Sequence, residues 1–252
     1  MPEITAAPAA ALPLFFKRIV GVDPSLHGTL RLDRNAGFRF AAETQFVPLG
    51  LSEIEAAAND YPVLFTTGAE PIPVALLGLQ HGSNLFLQAD GEWQRDCYVP
   101  ACVRAFPFVF MKGTTSDDLF LGMEPNADCL RSDSGDPLFE DGKPSTALND
   151  AIAFGAAYRQ DLIAAALFAH VLDAAGVLDQ QDANITFVSG VTASIRAFKM
   201  LNRERLQKVN DETFLDWRRS NWIPPLYAHL LSVGRWRRLM DLAASKRPGT
   251  SH

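Results

Sequence analysis

The sequence contains little cysteine: Cys97, Cys102 and Cys129 are the only three among 252 residues. An odd number in a chain of this length argues against a disulfide framework and favours reduced thiols. We therefore expect a cytoplasmic protein in which the thiols pack as small hydrophobic groups. Asp96 would raise the pKa of the neighbouring Cys97, which counts against a nucleophilic thiol.

The sequence also lacks an excess of positive charge. It has 23 Lys and Arg against 29 Asp and Glu, a formal net charge of −6. Nucleic-acid phosphates and anionic lipid surfaces require a basic face on the protein that binds them. We therefore expect no nucleic-acid partner, and instead a protein or a small carbohydrate or peptide-like ligand. Nothing in the sequence sets the oligomeric state.

Long uninterrupted hydrophobic runs are absent as well. The most apolar segment, residues 146–175, is interrupted by Asp150, Arg159, Asp161 and Asp173. A transmembrane helix needs about 20 predominantly apolar residues, so we expect a soluble protein without a membrane span. Residues 1–13 are rich in Ala and Pro and predict a disordered leader. Small residues at positions 9–11 leave an atypical export signal open, although no basic segment precedes them.

Recognisable catalytic motifs are missing too. The sequence has no G-x-S-x-G elbow, no Walker loop and no Gly-rich dinucleotide turn. Its five histidines do not fall at metal-ligand spacing with another His, Cys or carboxylate. We therefore expect no metal and no cofactor, and the sequence assigns no catalytic residue.

The spacing of apolar residues changes along the chain. Apolar runs separated by turn residues predict strands at 15–22, 38–47, 61–67, 74–80, 108–112 and 119–124. Helical spacing begins after Ser145, and helices are predicted at 203–208, 211–220, 225–232 and 236–244, with one more strand at 194–201. This indicates an α+β fold with an antiparallel or mixed sheet and a helical C-terminal part packed on it. We expect a β-rich part (14–144) and a mainly helical part (145–247) within one continuous domain.

Local signals refine this picture. Asp23 and Pro24 are typical of a helix start, Ser52 with Glu55 matches a capping box, and Asp90-Gly91 favours a hairpin. The aromatic and basic C-terminal run is interpreted as core, with an inward face that comprises Trp217, Trp222, Leu226, Tyr227, Leu230, Leu231, Trp236 and Leu239.

Five residues are candidates for ligand contact: His27, Asn84, Trp93, Tyr98 and Arg104. Four of them belong to the segment 82–110, where the surrounding apolar residues are expected to form core. His27 follows the predicted helix start at Asp23-Pro24, a junction from which functional side chains often project. An enzymatic role for His27 would require a nearby carboxylate, for which Asp23 and Glu53 are the candidates.

Five blocks occur in one order along the chain: YPVLFT, PVALLGLQHGSNLFLQADGEW, YVPACVRAFPFVF, PLFEDGKPS and NWIPPLYAHLLSVGRW. In these blocks, and at DPSLHGTLRL around His27, the chain resembles the bacterial SapC family over residues 14–244. It departs from that pattern at Ala105, where a basic residue is expected, and at Glu124-Pro125, where an acidic pair is expected.

The resemblance implies a Gram-negative context, a link with surface layers, and genomic neighbours that include halogenase-like proteins and outer-membrane receptors. It supplies no catalytic residues. Three functions follow as hypotheses. The first is an accessory or binding protein of unknown ligand that acts with halogenase-like or outer-membrane uptake partners. The others are an enzyme of unrecognised type using His27 and a structural protein of the surface layer.

Overall fold

The structure is a computed structural model that describes residues 12–112, 119–186 and 192–246. The chain divides into two compact units, each built from two separate stretches. The first unit comprises Met1–Asn35 and Phe106–Ala151, and the second comprises Ala36–Ala105 and Ile152–His252.

The strands and helices of the described residues confirm an α+β fold. The strands are β1 Val20–Gly21, β2 Arg31–Leu32, β3 Phe46–Pro48, β4 Val63–Thr66, β5 Pro73–Leu76, β6 Phe108–Lys112, β7 Leu119–Met123, β8 Leu130–Arg131, β9 Asp136–Pro137, β10 Phe139–Glu140, β11 Lys143–Pro144, β12 Leu178–Thr186 and β13 Thr192–Leu201. The helices are α1 Pro24–His27, α2 Ile54–Ala57, α3 Ala101–Ala105, α4 Thr146–Ala174, α5 Arg203–Leu206, α6 Asp211–Arg219, α7 Ile223–Ser232 and α8 Arg235–Ser245.

Small antiparallel sheets make up the first unit. Their strand orders are β1-β7-β6, β8-β2-β9 and β10-β11. The predicted strands at 108–112 and 119–124 are confirmed as β6 and β7. The predicted strand at 15–22 is wrong except for β1, because the Glu124 carboxylate accepts hydrogen bonds from the backbone N–H of Lys17 and Arg18 at 2.7 and 2.8 Å. Those N–H groups are therefore not available to a strand ladder.

A five-stranded antiparallel sheet of order β12-β13-β4-β5-β3 organises the second unit. Helices α4 and α7 pack on it through Phe65 of β4, whose ring centroid lies 6.3 Å from that of Phe168 and 5.0 Å from that of His229. Trp217 and Leu226 are also buried, as predicted. Side chains of both helices thus cover Phe65 of the sheet.

Two predictions within the second unit are wrong, and one strand was missed. The predicted strand at 38–47 is a strand only at β3, because Arg39–Ala41 forms a 3-10 turn whose Arg39 side chain donates to the carbonyls of Ala89 and Asp90. Strand β12 was missed, since its sequence LDQQDANIT lacks the apolar alternation of a half-buried strand. Tyr227 and Leu231, predicted to point inward, are 48% and 74% exposed.

Helix α4 is the longest element, with 29 residues. Among the described residues it meets the length and composition of a membrane-spanning helix, a test that core helices and signal sequences also pass. Two of its charged side chains have partners on the second unit. The Asp161 carboxylate accepts from the Ser52 backbone N–H at 3.0 Å, and Asp173 pairs with Lys199 at 2.7 Å. These partners explain why charges interrupt the apolar segment.

Candidate functional site

The candidate site is built around a buried carboxylate, Glu53, which is only 5% exposed. Its Oε1 accepts from the Gly50 N–H at 2.7 Å, and its Oε2 accepts from the Ala101 N–H at 2.8 Å. Glu53 thereby caps its own 3-10 turn and the first turn of α3. The capping box predicted from Ser52 and Glu55 is wrong: the Glu53 carboxylate accepts from the Gly50 N–H instead, and Gly50 has no side chain to return the bond.

Tyr98 and Arg104 extend from this carboxylate toward the surface. The Tyr98 hydroxyl donates to Glu53 Oε2 at 2.9 Å, and Arg104 Nη2 donates to the Tyr98 oxygen at 2.9 Å. The guanidinium also donates through Nε to the Val99 carbonyl at 3.0 Å. Its central carbon lies 5.5 Å from the Tyr98 ring centroid and 4.9 Å from that of Phe154. We call Glu53, Tyr98, Arg104 and Phe154 the Arg104 site.

Burial sets the protonation behaviour of this site. Loss of hydration raises the pKa of Glu53, although its backbone hydrogen bonds and Tyr98 oppose the shift. Burial, together with the neighbouring Glu53, raises the pKa of Tyr98 to about 12. Tyr98 is therefore a protonated donor at neutral pH, and the exposed Arg104 carries the positive charge of the site.

A thiol and a second phenol lie beneath the Arg104 site. Burial strongly raises the pKa of the Cys102 thiol, so it is protonated and packs as a weakly polar group. The buried hydroxyl of Tyr158 lies beside this thiol. Burial, then the neighbouring thiol, raises the pKa of Tyr158 as well.

A second polar cluster fixes the backbone at Tyr98. Asp60 accepts from the Tyr98 N–H at 2.8 Å and from Arg238 Nη1 at 2.7 Å. Arg238 Nη2 also lies 3.0 Å from the Cys97 sulfur, but burial outweighs this cation and raises the pKa of Cys97. Arg238 and Asp60 thus hold the loop that carries Tyr98.

Asn84 and Trp93, two of the predicted contact residues, lie in the core of the second unit at 8% and 5% exposure. The Asn84 carboxamide donates to the Ala41 carbonyl at 3.1 Å and accepts from the Phe86 N–H at 2.9 Å. The Trp93 indole N–H donates to the Tyr61 hydroxyl at 2.8 Å. Their polar atoms are engaged internally, and both residues support the predicted hairpin, which pairs Leu87 with Trp93.

His27, the remaining candidate, belongs to the first unit. It ends α1, whose predicted start at Asp23 is confirmed by a 2.7 Å bond from the Ser25 N–H to the Asp23 carboxylate. His27 Nδ1 accepts from the Asp23 backbone N–H at 3.0 Å. Nδ1 therefore carries a lone pair, and the neutral ring holds its proton on Nε2. The carboxylate that Asp23 would offer to a reaction is directed at Ser25 instead.

Sequence reasoning named both Tyr98 and Arg104 as candidates for ligand contact, but it missed Phe154, Asp60 and Arg238. Asp161 was the available signal for the contact of α4 with the turn that carries Glu53, since a charge in an apolar helix needs a partner. Within the described ranges, no group of three or more His, Cys, Asp or Glu side chains is placed to hold a metal.

The fold and the site define a class: an α+β protein whose second unit presents an arginine anchored on a buried carboxylate. A comparison with family models identifies it further. The SapC family model matches residues 22–239, and the chain therefore belongs to the SapC family. No curated protein and no solved structure matches the chain.

Proposed function

We propose that the chain is a cytoplasmic accessory protein that binds a carboxylate-bearing ligand, peptide-like or an acidic carbohydrate, at Arg104. The observation that carries the proposal is the fixed orientation of the Arg104 guanidinium at an exposed position. Two hydrogen bonds and two aromatic rings hold it in place. The three thiols, which are all unpaired, support the cytoplasmic placement.

The free donors of Arg104 suit a carboxylate. A guanidinium has five N–H donors, and among the described residues Val99 and Tyr98 use two, so three remain available to a ligand. A carboxylate takes two parallel N–H bonds from such a fork. Because the arginine is already ordered, the ligand does not have to immobilise a flexible side chain, and this favours affinity.

The buried end of the site favours binding over catalysis. Both Glu53 oxygens accept hydrogen bonds from groups of the protein itself, namely Gly50, Ala101 and Tyr98. The carboxylate therefore orients the Tyr98 hydroxyl, which in turn holds the charged Arg104 guanidinium. The enzymatic hypothesis for His27 stays a prediction, and its carboxylate candidates are both engaged elsewhere, Asp23 with Ser25 and Glu53 in this site.

Binding to matched acidic and neutral probes tests the proposal. Acetyl-trialanine with a free C-terminal carboxylate and D-glucuronate are compared by calorimetry with acetyl-trialanine amide and D-glucose. We expect at least one acid to bind and its neutral counterpart to bind about tenfold or more weakly, because a charge-assisted hydrogen bond contributes about 1.5–3 kcal/mol.

Variants assign the binding to the site. Arg104→Gln should weaken the acid about tenfold or more, and Arg104→Lys should recover only part of the loss because it lacks the planar fork. Arg95→Gln, which removes another exposed arginine of the same segment, is the matched control and should leave the affinity unchanged. Failure of both acids to bind, or binding that survives Arg104→Gln, would refute the proposal.

A protein partner is the second candidate, and exposed apolar side chains on α7 favour it. Pro224, Tyr227 and Leu231 follow one another at helical spacing on its exposed face. Large apolar side chains in contiguous exposure are typical of surfaces that bind other proteins. We therefore also propose that this face contacts a partner protein, for which the family context suggests the halogenase-like proteins.

A further inference from the structure

A cavity in the second unit lies apart from the residues of the Arg104 site. Its volume is about 250 Å³, and it lies between the end of α8 and the chain on either side of the turn at Ser83. The lining residues are Leu79, Gln80, Ser83, Asn84, Leu85, Ala243 and Lys246. None of them takes part in the hydrogen-bonded chain that holds Arg104.

The lining of the cavity combines apolar and polar residues. Leu79, Leu85 and Ala243 are buried and supply the apolar side. Gln80 and Ser83 contribute neutral hydrogen-bonding groups to the lining. Lys246 supplies the one cation among the lining residues.

Lys246 is folded back toward the protein at this cavity. Its ammonium donates to the Leu87 carbonyl, in the chain that follows the cavity wall. It forms no ion pair with any carboxylate of the described ranges, in contrast to Arg238 on the preceding helix α8, which pairs with Asp60 at 2.7 Å. The partial loss of hydration around the ammonium lowers the pKa of Lys246. An anion in the cavity would compensate for that lost hydration.

The size of the cavity and the chemistry of its lining restrict the kind of ligand that it can hold. The cavity holds roughly eight water volumes, which suits a small molecule rather than a sugar chain or a folded partner. A single ammonium beside an apolar wall matches one negative charge joined to a short hydrocarbon chain. A phosphate group would match the cation but would leave the apolar wall without a partner.

We propose that this cavity binds a small monocarboxylate with a short aliphatic chain, its carboxylate on the Lys246 ammonium and its chain against Leu79, Leu85 and Ala243. The proposal is independent of ligand binding at Arg104. It gives the chain a second binding site, which takes a smaller ligand than the Arg104 site.

Hexanoate and hexanamide test the proposal, because they have the same shape and differ in charge. We expect hexanoate to bind the full chain and hexanamide to bind about tenfold or more weakly, as expected for a charge-assisted hydrogen bond. Lys246→Met keeps most of the apolar stem and should weaken hexanoate to the level of hexanamide. Lys208→Met, at an exposed lysine of the same unit, should change neither affinity. The readout is the amide chemical shifts of residues 79–87 during titration.

Two further measurements distinguish this cavity from the Arg104 site and from a site for simple anions. Arg104→Gln should leave hexanoate binding intact. Failure of hexanoate to bind the cavity can therefore be distinguished from failure of the acids to bind at Arg104. Inorganic phosphate should bind more weakly than hexanoate because it cannot use the apolar wall. Equal affinity for hexanoate and hexanamide, no effect of Lys246→Met, or no titration of hexanoate at all would each overturn the proposal.

Discussion

A single buried histidine illustrates how strongly the interior of the second unit controls its ionisable groups. His229 on α7 is fully buried, and its Nε2 accepts from the Leu201 N–H at 3.1 Å. Its proton is therefore on Nδ1, which has no hydrogen-bond partner within the described residues. Burial lowers the pKa of His229 from 6.5 to about 4. The ring functions as a neutral acceptor that joins α7 to β13.

The lowered pKa predicts a loss of stability in mild acid. Between the unfolded pKa of 6.5 and the folded pKa of about 4, the unfolded chain binds a proton that the folded chain does not. His229 should therefore lower the free energy of unfolding by about 2 kcal/mol between pH 7 and pH 5. Urea unfolding at both pH values checks this.

Two substitutions make the test specific to His229. His229→Gln retains an acceptor without this titration, so the pH dependence between 7 and 5 should become smaller by about 2 kcal/mol. His170→Gln, at an exposed histidine of α4, should leave the pH dependence as it is. A wild-type stability that is equal at both pH values would contradict the assignment.

At the scale of elements, the contact between α4 and the 3-10 turn at Leu51–Glu53 positions the carboxylate of the Arg104 site. Asp161 on α4 accepts from both the backbone N–H and the hydroxyl of Ser52. A Cβ added to Gly50 would lie 2.1 Å from Asp161 Oδ2. A side chain at position 50 would therefore displace the Asp161 carboxylate from the turn that orients Glu53.

Gly50→Ala should destabilise the protein by about 1–3 kcal/mol, because the methyl group displaces Asp161 from Ser52. In an Asp161→Gly background the same change should cost less, which gives a coupling energy of about 1–2 kcal/mol in a double-mutant cycle. Gly21→Ala, where nothing lies within 4 Å of the added Cβ, is the control. Additive effects of Gly50→Ala and Asp161→Gly would show that the two groups do not meet as described.

At the scale of the whole molecule, the features that were predicted correctly are those that depend on residues close together in the sequence. Periodicity and turn residues led to an α+β class, and ordered blocks led to the SapC family. The Arg104 site was predicted only in part, because Glu53, Tyr98 and Phe154 are about 50 residues apart and meet only through packing of α3 and α4 against the turn. Strand β12 was missed because its partner β13, rather than its own composition, makes it a strand.

The last prediction concerns the exposed face of α7, which should be required for partner binding but not for folding. Tyr227→Ser with Leu231→Ser replaces two side chains that are 48% and 74% exposed, so the free energy of unfolding should change by less than about 1 kcal/mol. The tagged chain should retain a halogenase-like protein from a Gram-negative lysate, and the double variant should lose it. Leu26→Ser, at a residue of the first unit that is 75% exposed, is the matched control and should retain the same protein. Retention of that partner by the double variant would place the contact elsewhere on the molecule, and retention of no such protein by the wild type would refute the partner proposal.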